Sequence, residues 1–237
     1  MIKAAAAMGC GEYSMRSISV NILRENLSGK PAYRITGMLL LLCSLFVSGC
    51  TTSGVRNTSR TFKTVTIDAG HGGHDSGARA RSGWREKDVA LDVSRRLEPK
   101  LRAAGFRTVM TRSGDSFVAL DKRVGISNRQ GNSVFISIHF NSSPRRAIQG
   151  AETYYHSPES RELAQRILRH LDAVPSTSAR GVRTAKFRVL RNNRYPAVLV
   201  ECGYMSNGSE AARASSPQHR EALATAIANA LIEQKKG

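Results

Sequence analysis

Residues 64–78 read TVTIDAGHGGHDSGA. Four of the first five residues are β-branched and favour a strand. They run without a break into a loop whose four glycines permit conformations and close approaches that a side chain would block. A helical pattern follows. Over 86–104, Val89, Ala90, Val93, Leu97 and Leu101 fall on one helical face, and Gly105 stops the pattern. Pro99 inside it predicts a kink or an early end, because proline lacks the N–H that the helix needs.

The same alternation continues outward. Strands are expected at 106–111, 134–140 (VFISIHF), 151–156 and 197–202, and helices at 120–130, 159–171 and 216–234. Ser216 is placed to cap the last helix, with Pro217 at its first position. Strands separated by helices predict one α/β domain: a mostly parallel or mixed sheet of about six strands, with helices on both faces. No internal repeat interrupts it.

Composition sets the outer limits. The chain has 237 residues and a formal charge of +18, of which +15 falls on residues 51–237. With 41% hydrophobic residues, that body has enough apolar material for one sizeable core, which excludes a disordered polyelectrolyte. The charge calls for an anionic partner. Nucleic acid is not expected, since the basic residues are scattered and few aromatics are interleaved with them.

The front of the chain reads as an address. The apolar run 38–47 is too short to cross a bilayer, and it has basic residues before it and small ones after it, as in a secretory signal. Val47-Ser-Gly-Cys50 resembles the lipobox of bacterial lipoproteins, which makes Cys50 the lipidation site; ordinary cleavage nearby is the alternative. The expected layout is a signal region at 1–49, a lipidated cysteine and polar tether at 50–63, and the folded domain at 64–237. Translation starting at Met15 or later would shorten the signal. Cys10 and Cys43 would be lost with it, leaving Cys202, which reads as a small buried hydrophobe.

Three polar residues stand where buried strands end: His71, His139 and Glu201 in the apolar AVLVECG. A carboxylate inside a buried strand is costly unless it is paired, bound to metal or functional. Two histidines and a carboxylate would make an open, catalytic zinc site. The spacing matches no local metal motif, and a histidine after a glycine loop also serves as a hydrogen-bonded structural residue. On residues alone, both readings stand.

Four blocks in order carry a resemblance: 64–78, Glu86 at a helix start, 120–143, and 187–207 (FRVLRNNRYPAVLVECGYMSN). Together they resemble the zinc-dependent N-acetylmuramoyl-L-alanine amidases, cell-wall hydrolases, over residues 64–234. The resemblance implies one zinc ion per chain held by His71, Glu86 and His139, with Glu201 as the catalytic carboxylate. It implies hydrolysis of the amide between N-acetylmuramic acid and L-alanine of the peptidoglycan stem, in wall remodelling or cell separation. Asn141 matches a recurrent asparagine of the family and is a candidate for substrate binding, with a turn-forming role as the alternative. Arg191 is a candidate for substrate binding or simply part of a solvated face. Two departures are noted: Ser76 stands where the family usually has proline, and His74 falls where the family varies and is left out of the metal shell.

Only 61 residues lie between His139 and Glu201, too few for the long helical plug found in some relatives, so no obligatory activator is expected. The partners expected are peptidoglycan and, through Cys50, a membrane, with the chain a monomer. Thr51 after the cysteine points to the inner, periplasmic face of the outer membrane in a two-membrane envelope. Two rival functions remain: a wall-binding lipoprotein without catalysis, and a zinc peptidase that cuts another stem-peptide bond.

Overall fold

The computed structural model describes residues 54–236. Within them the chain forms one α/β domain. Its elements are β1 (Thr64–Ala69), α1 (Glu86–Ala103), β2 (Arg107–Met110), α2 (Leu120–Asn128), β3 (Ser133–Asn141) and β4 (Ala151–Tyr155). A 3-10 turn (Pro158–Ser160) then leads into α3 (Arg161–Asp172), β5 (Ala179–Thr184), α4 (Arg188–Arg191), β6 (Ala197–Tyr204), α5 (Gly208–Ser215) and α6 (Pro217–Lys236). The expected signal region and Cys50 lie outside the described residues. Among those described, no helix is long and apolar enough to cross a membrane.

The six strands form one sheet in the order β2-β1-β3-β6-β4-β5. All neighbours are parallel except β4 and β6, which run antiparallel. The sheet is therefore mixed. Central β1 is buried along its whole length, as a strand covered on both faces must be.

Side-chain parity separates the two faces. Val65 and Ile67, Val134, Ile136 and Ile138, and Val198 and Val200 share the large core with the apolar faces of α1, α3 and α6. The opposite parity, Phe135, Ala197 and Leu199, packs with Val124 of α2 and Val189 and Leu190 of α4. Helices thus cover both faces, unequally. The chain leaves β1 through α1 to reach β2 on one side, then returns through α2 to β3 on the other. Two crossovers in opposite directions put their helices on opposite faces and leave a crevice at the carboxyl ends of β1 and β3.

Several expectations change. Pro99 neither ends α1 nor shortens it. Pro99 and Arg95 are both exposed, so the carbonyl left without an N–H lies on the solvated side. Residues 54–63, read as a tether, lie against the domain. Phe62 is fully buried in the core and stacks on Phe106 with centroids 5.2 Å apart, while Thr58 Oγ1 donates to the Ser133 carbonyl at 2.5 Å. Packing therefore begins before Thr64, because one large aromatic ring has an apolar slot beside β2. Strand β5, helix α4 and helix α5 were not expected. ARGVRT of β5 is an edge strand with four of its six residues exposed, and it carries arginines where a buried strand would be apolar. Cys202 is a buried free thiol, as expected.

Candidate active site

Every chemically distinctive residue lies on the α2/α4 side of the sheet or at its carboxyl edge. His139 is the seventh residue of β3 and sits directly opposite Glu201 of β6 in the parallel register. His71 lies two residues beyond β1. Glu86 is the first residue of α1, where the helix dipole favours a carboxylate. Ligand atoms of His71, Glu86 and His139 all lie within 4.8 Å of one another.

Three of those atoms converge. Glu86 Oε1 is 3.0 Å from His71 Nε2 and 2.8 Å from His139 Nδ1. The same oxygen accepts the Phe140 N–H at 3.1 Å, and Oε2 accepts the Ala78 N–H at 2.8 Å. Burial opposes ionisation of Glu86, but its hydrogen bonds with His139 and His71 outweigh that and hold the carboxyl well below the usual range. His71 is driven upward: burial disfavours its charge, while Glu86 and Asp75 favour it more strongly.

The far side of the His71 ring is also held. Its Nδ1 faces Asp75 Oδ2 at 2.8 Å, and since a carboxylate has no proton to give, Nδ1 is the donor and Nε2 is turned toward the cluster. A carboxylate behind a histidine is the usual support for a metal ligand. Two nitrogens and one carboxylate with that support are a donor set that fits a zinc ion of the catalytic kind, which takes three protein ligands. The donor chemistry therefore suits the metal that the resemblance implies.

The loop carrying His71 is pinned from beneath. His71 has a positive φ of 58°, unusual for a side-chain-bearing residue. Buried Arg123 donates from Nη2 to the His71 carbonyl at 2.7 Å and from Nη1 to the Ala69 carbonyl at 2.6 Å, while ion-paired with buried Asp68 at 2.7 Å. Buried Arg112 donates from Nη2 to the Gly70 carbonyl at 2.7 Å and from Nε to the Ala69 carbonyl at 2.9 Å. Two guanidiniums thus satisfy the carbonyls of a tight turn that no neighbouring strand could reach.

Gly70 serves by absence. A Cβ there would stand 2.5 Å from His139 Cε1, so the imidazole lies flat against bare backbone. Gly70→Ala should displace the ring and lower zinc occupancy well below one per chain, measured by metal analysis after equilibration with buffered zinc. Full occupancy would show that the contact does not matter.

Glu201 stands apart from this cluster of close contacts. Its Oε2 is buried and has no hydrogen-bond partner among the described residues. Burial, then the charges of Glu86 and Glu152, push its carboxyl well above the usual range. An unsatisfied buried oxygen next to a candidate metal cluster is a costly feature, of the kind that marks candidate functional residues.

Asn141 lies at the end of β3, donating to Glu152 Oε2 at 3.2 Å and accepting the Ser142 N–H at 2.8 Å. It therefore borders the site and also shapes its turn. Arg191 is exposed at the end of α4 and has no side-chain partner among the described residues. His74 packs on Phe117 with centroids 4.2 Å apart, outside the cluster. Sequence reasoning passed over Asp75, Arg112, Arg123 and Glu152. Only Glu152 carried a signal, a carboxylate in a short strand like that of Glu201; the others are ordinary loop or helix residues until the fold buries the two arginines and sets Asp75 behind His71.

Fold and site together define a class, an α/β enzyme domain with its polar cluster at the carboxyl ends of parallel strands. Comparison with known proteins gives the family. The family described as N-acetylmuramoyl-L-alanine amidase (Amidase_3) matches residues 65–233, and the chain belongs to it. It is 38% identical over 169 residues to N-acetylmuramoyl-L-alanine amidase LytC of Bacillus subtilis, covering 70% of this chain and 34% of LytC. It is also 40% identical over 173 residues to the uncharacterized protein YqiI of the same organism, covering 71% of this chain and 83% of YqiI. The chain therefore spans about a third of LytC's length. Among solved structures, amidase AmiC2 of Nostoc punctiforme superposes with a TM-score of 0.71 at 37% identity, covering 73% of this chain and 97% of that one. The catalytic domain of CwlV from Paenibacillus polymyxa gives 0.70 at 37% identity, covering 73% and 97%.

Proposed function

We propose that the protein is a zinc-dependent peptidoglycan amidase that cleaves the amide between N-acetylmuramic acid and the L-alanine of the stem peptide. The observation that carries this reading is the buried, unpartnered Oε2 of Glu201 beside the convergent His71, Glu86 and His139. When bound there, zinc would polarise the scissile carbonyl and supply a water acidic enough to ionise near neutral pH. Glu201 takes the water's proton on Oε2 and returns it to the departing amine nitrogen of alanine. A raised pKa suits the second half of that task, since the carboxyl must hold the proton between the two steps. His71, oriented by Asp75, and His139, backed by Gly70, keep the donor atoms aimed at one point. Asn141 and Arg191 are assigned to substrate contact.

The interval between His139 and Glu201 supports independence from an activator. Its one helix of several turns, α3, packs its apolar side into the core on the face away from Glu201. The full reading adds a lipid anchor at Cys50, residence at the periplasmic face of the outer membrane as a monomer, and a part in wall remodelling. Mass spectrometry of purified peptidoglycan treated with zinc-loaded protein alone tests the reaction. Intact stem peptides with free alanine amino termini are expected. Shortened stems would indicate the peptidase alternative, and no release would indicate the non-catalytic binder or a missing activator.

A further inference from the structure

Beside Glu201 the same face buries a second strand carboxylate. Glu152 of β4 is 2% exposed and is the direct cross-strand partner of Glu201. Its Oε2 accepts from Tyr204 Oη at 2.8 Å, Tyr154 Oη at 3.0 Å and Asn141 Nδ2 at 3.2 Å. Its Oε1 accepts from Arg183 Nε at 3.0 Å and Arg180 Nε at 3.2 Å. Five donors from four strands converge on one carboxylate.

The two arginines reach it by a device of the edge strand. Residues three apart on a regular strand face opposite sides of the sheet. Here the β4/β5 register slips between Ala151 and Glu152, so that Arg180 is an extra residue between the partners Ala179 and Gly181. Such a bulge re-aims a side chain, and it brings Arg180 onto the face that Arg183 already occupies. Both guanidiniums engage Glu152 through Nε. Arg183 remains half-exposed and its Nη atoms have no hydrogen-bond partner among the described residues; Arg180 lies over the Tyr204 ring, 5.7 Å from its centroid. Two cations against one carboxylate leave a positive charge uncompensated, one strand away from Glu201. An ordinary surface ion pair needs neither a buried acceptor nor a bulge.

A guanidinium fixed at Nε with its Nη edge outward is a ready fork for a carboxylate. We propose that Arg180 and Arg183, pinned by Glu152, form a subsite for a free carboxylate on the peptide part of the substrate. The inference rests on the amidase reading and adds an orientation: the peptide runs toward β4 and β5, and the glycan toward the β1 loop. It also adds a preference for acidic over amidated stem peptides.

The test compares a muramoyl peptide bearing free carboxylates with its carboxamide, titrated calorimetrically into zinc-loaded Glu201→Gln protein so that neither is consumed. The amidated ligand should bind at least about tenfold more weakly, the usual cost of losing a charge-assisted contact. Adding Arg183→Gln should remove the difference. Equal binding by the parent protein overturns the subsite, and so does a preference that survives Arg180→Gln and Arg183→Gln together. Binding is read without turnover, so the two readings fail separately. Discrimination without cleavage by the unmutated protein would refute the activator-independent amidase and leave the subsite; cleavage without discrimination would do the reverse.

Discussion

Glu201→Gln should lower turnover on peptidoglycan by about a hundredfold to ten-thousandfold, the range that a positioned general base contributes, while zinc still binds at one per chain. Gln keeps the shape of the side chain but cannot take a proton, and none of the converging ligand atoms is altered. The stability effect should run the other way. Glu201's carboxyl is raised in the folded protein, so its ionisation opposes folding, and that cost grows as pH rises above the unfolded carboxyl value of about 4.3. In the metal-free protein, Glu201→Gln should therefore be as stable as the parent at pH 4 and more stable at pH 7, by urea unfolding at both pH values. Near-normal release of stem peptides would remove Glu201 from the mechanism. A loss of stability at pH 7 would contradict the electrostatic account.

Glu86→Ala should have the largest structural effect of any single site substitution. The carboxylate joins His71, His139 and the backbone N–H groups of Ala78 and Phe140, fastening the glycine loop, β3 and the start of α1 together. Its removal orphans both N–H groups, at about 1–3 kcal/mol each, and leaves two histidines without their common partner. Zinc content should fall to a small fraction, activity should disappear, and the urea midpoint should drop even in the metal-free protein. That last measurement separates a ligand that also holds the fold from a ligand alone: an unchanged metal-free midpoint would show that Glu86 contributes nothing to the loop. Glu86→Gln, whose single amide oxygen can accept one of the two N–H groups, should recover part of the stability and little of the zinc.

The two experiments test different parts of one arrangement. Glu86 accepts at both oxygens, and Glu201 has an oxygen without a partner among the described residues. The difference follows from position. Glu86 opens a helix beside two histidines, whereas Glu201 lies in β6 between β3 and β4, with Glu152 as its cross-strand neighbour. One carboxylate is held toward its ionised form, the other toward its neutral form.

Much of this was legible before any fold was drawn, because the signals were local. Periodicity gives the central strands and the long helices, since a strand buried on both faces must be apolar throughout and a helix at the surface of a core must be apolar on one side. His139 and Glu201 stood out because polar residues there conflict with burial. Glu86 entered only through resemblance to a family, since an acid at a helix start is ordinary. What could not be read locally was whatever depends on partners distant in sequence. Phe62 looked like part of a tether because its slot against Phe106 lies 44 positions away. Arg112 and Arg123 were unremarkable helix and loop cations until the return of β3 past β1 buried them beneath the His71 turn. Strand β5 was invisible because an edge strand needs no apolar alternation. Sequence by itself determined the α/β class, the chain's place among the amidases and three strand-end residues. Only the tertiary structure decided that these share one face, that Glu201 has an unsatisfied oxygen, and that Glu152 gathers two arginines beside it. Burial and hydrogen-bond satisfaction are properties of what surrounds a residue, and the surroundings are assembled from the whole chain.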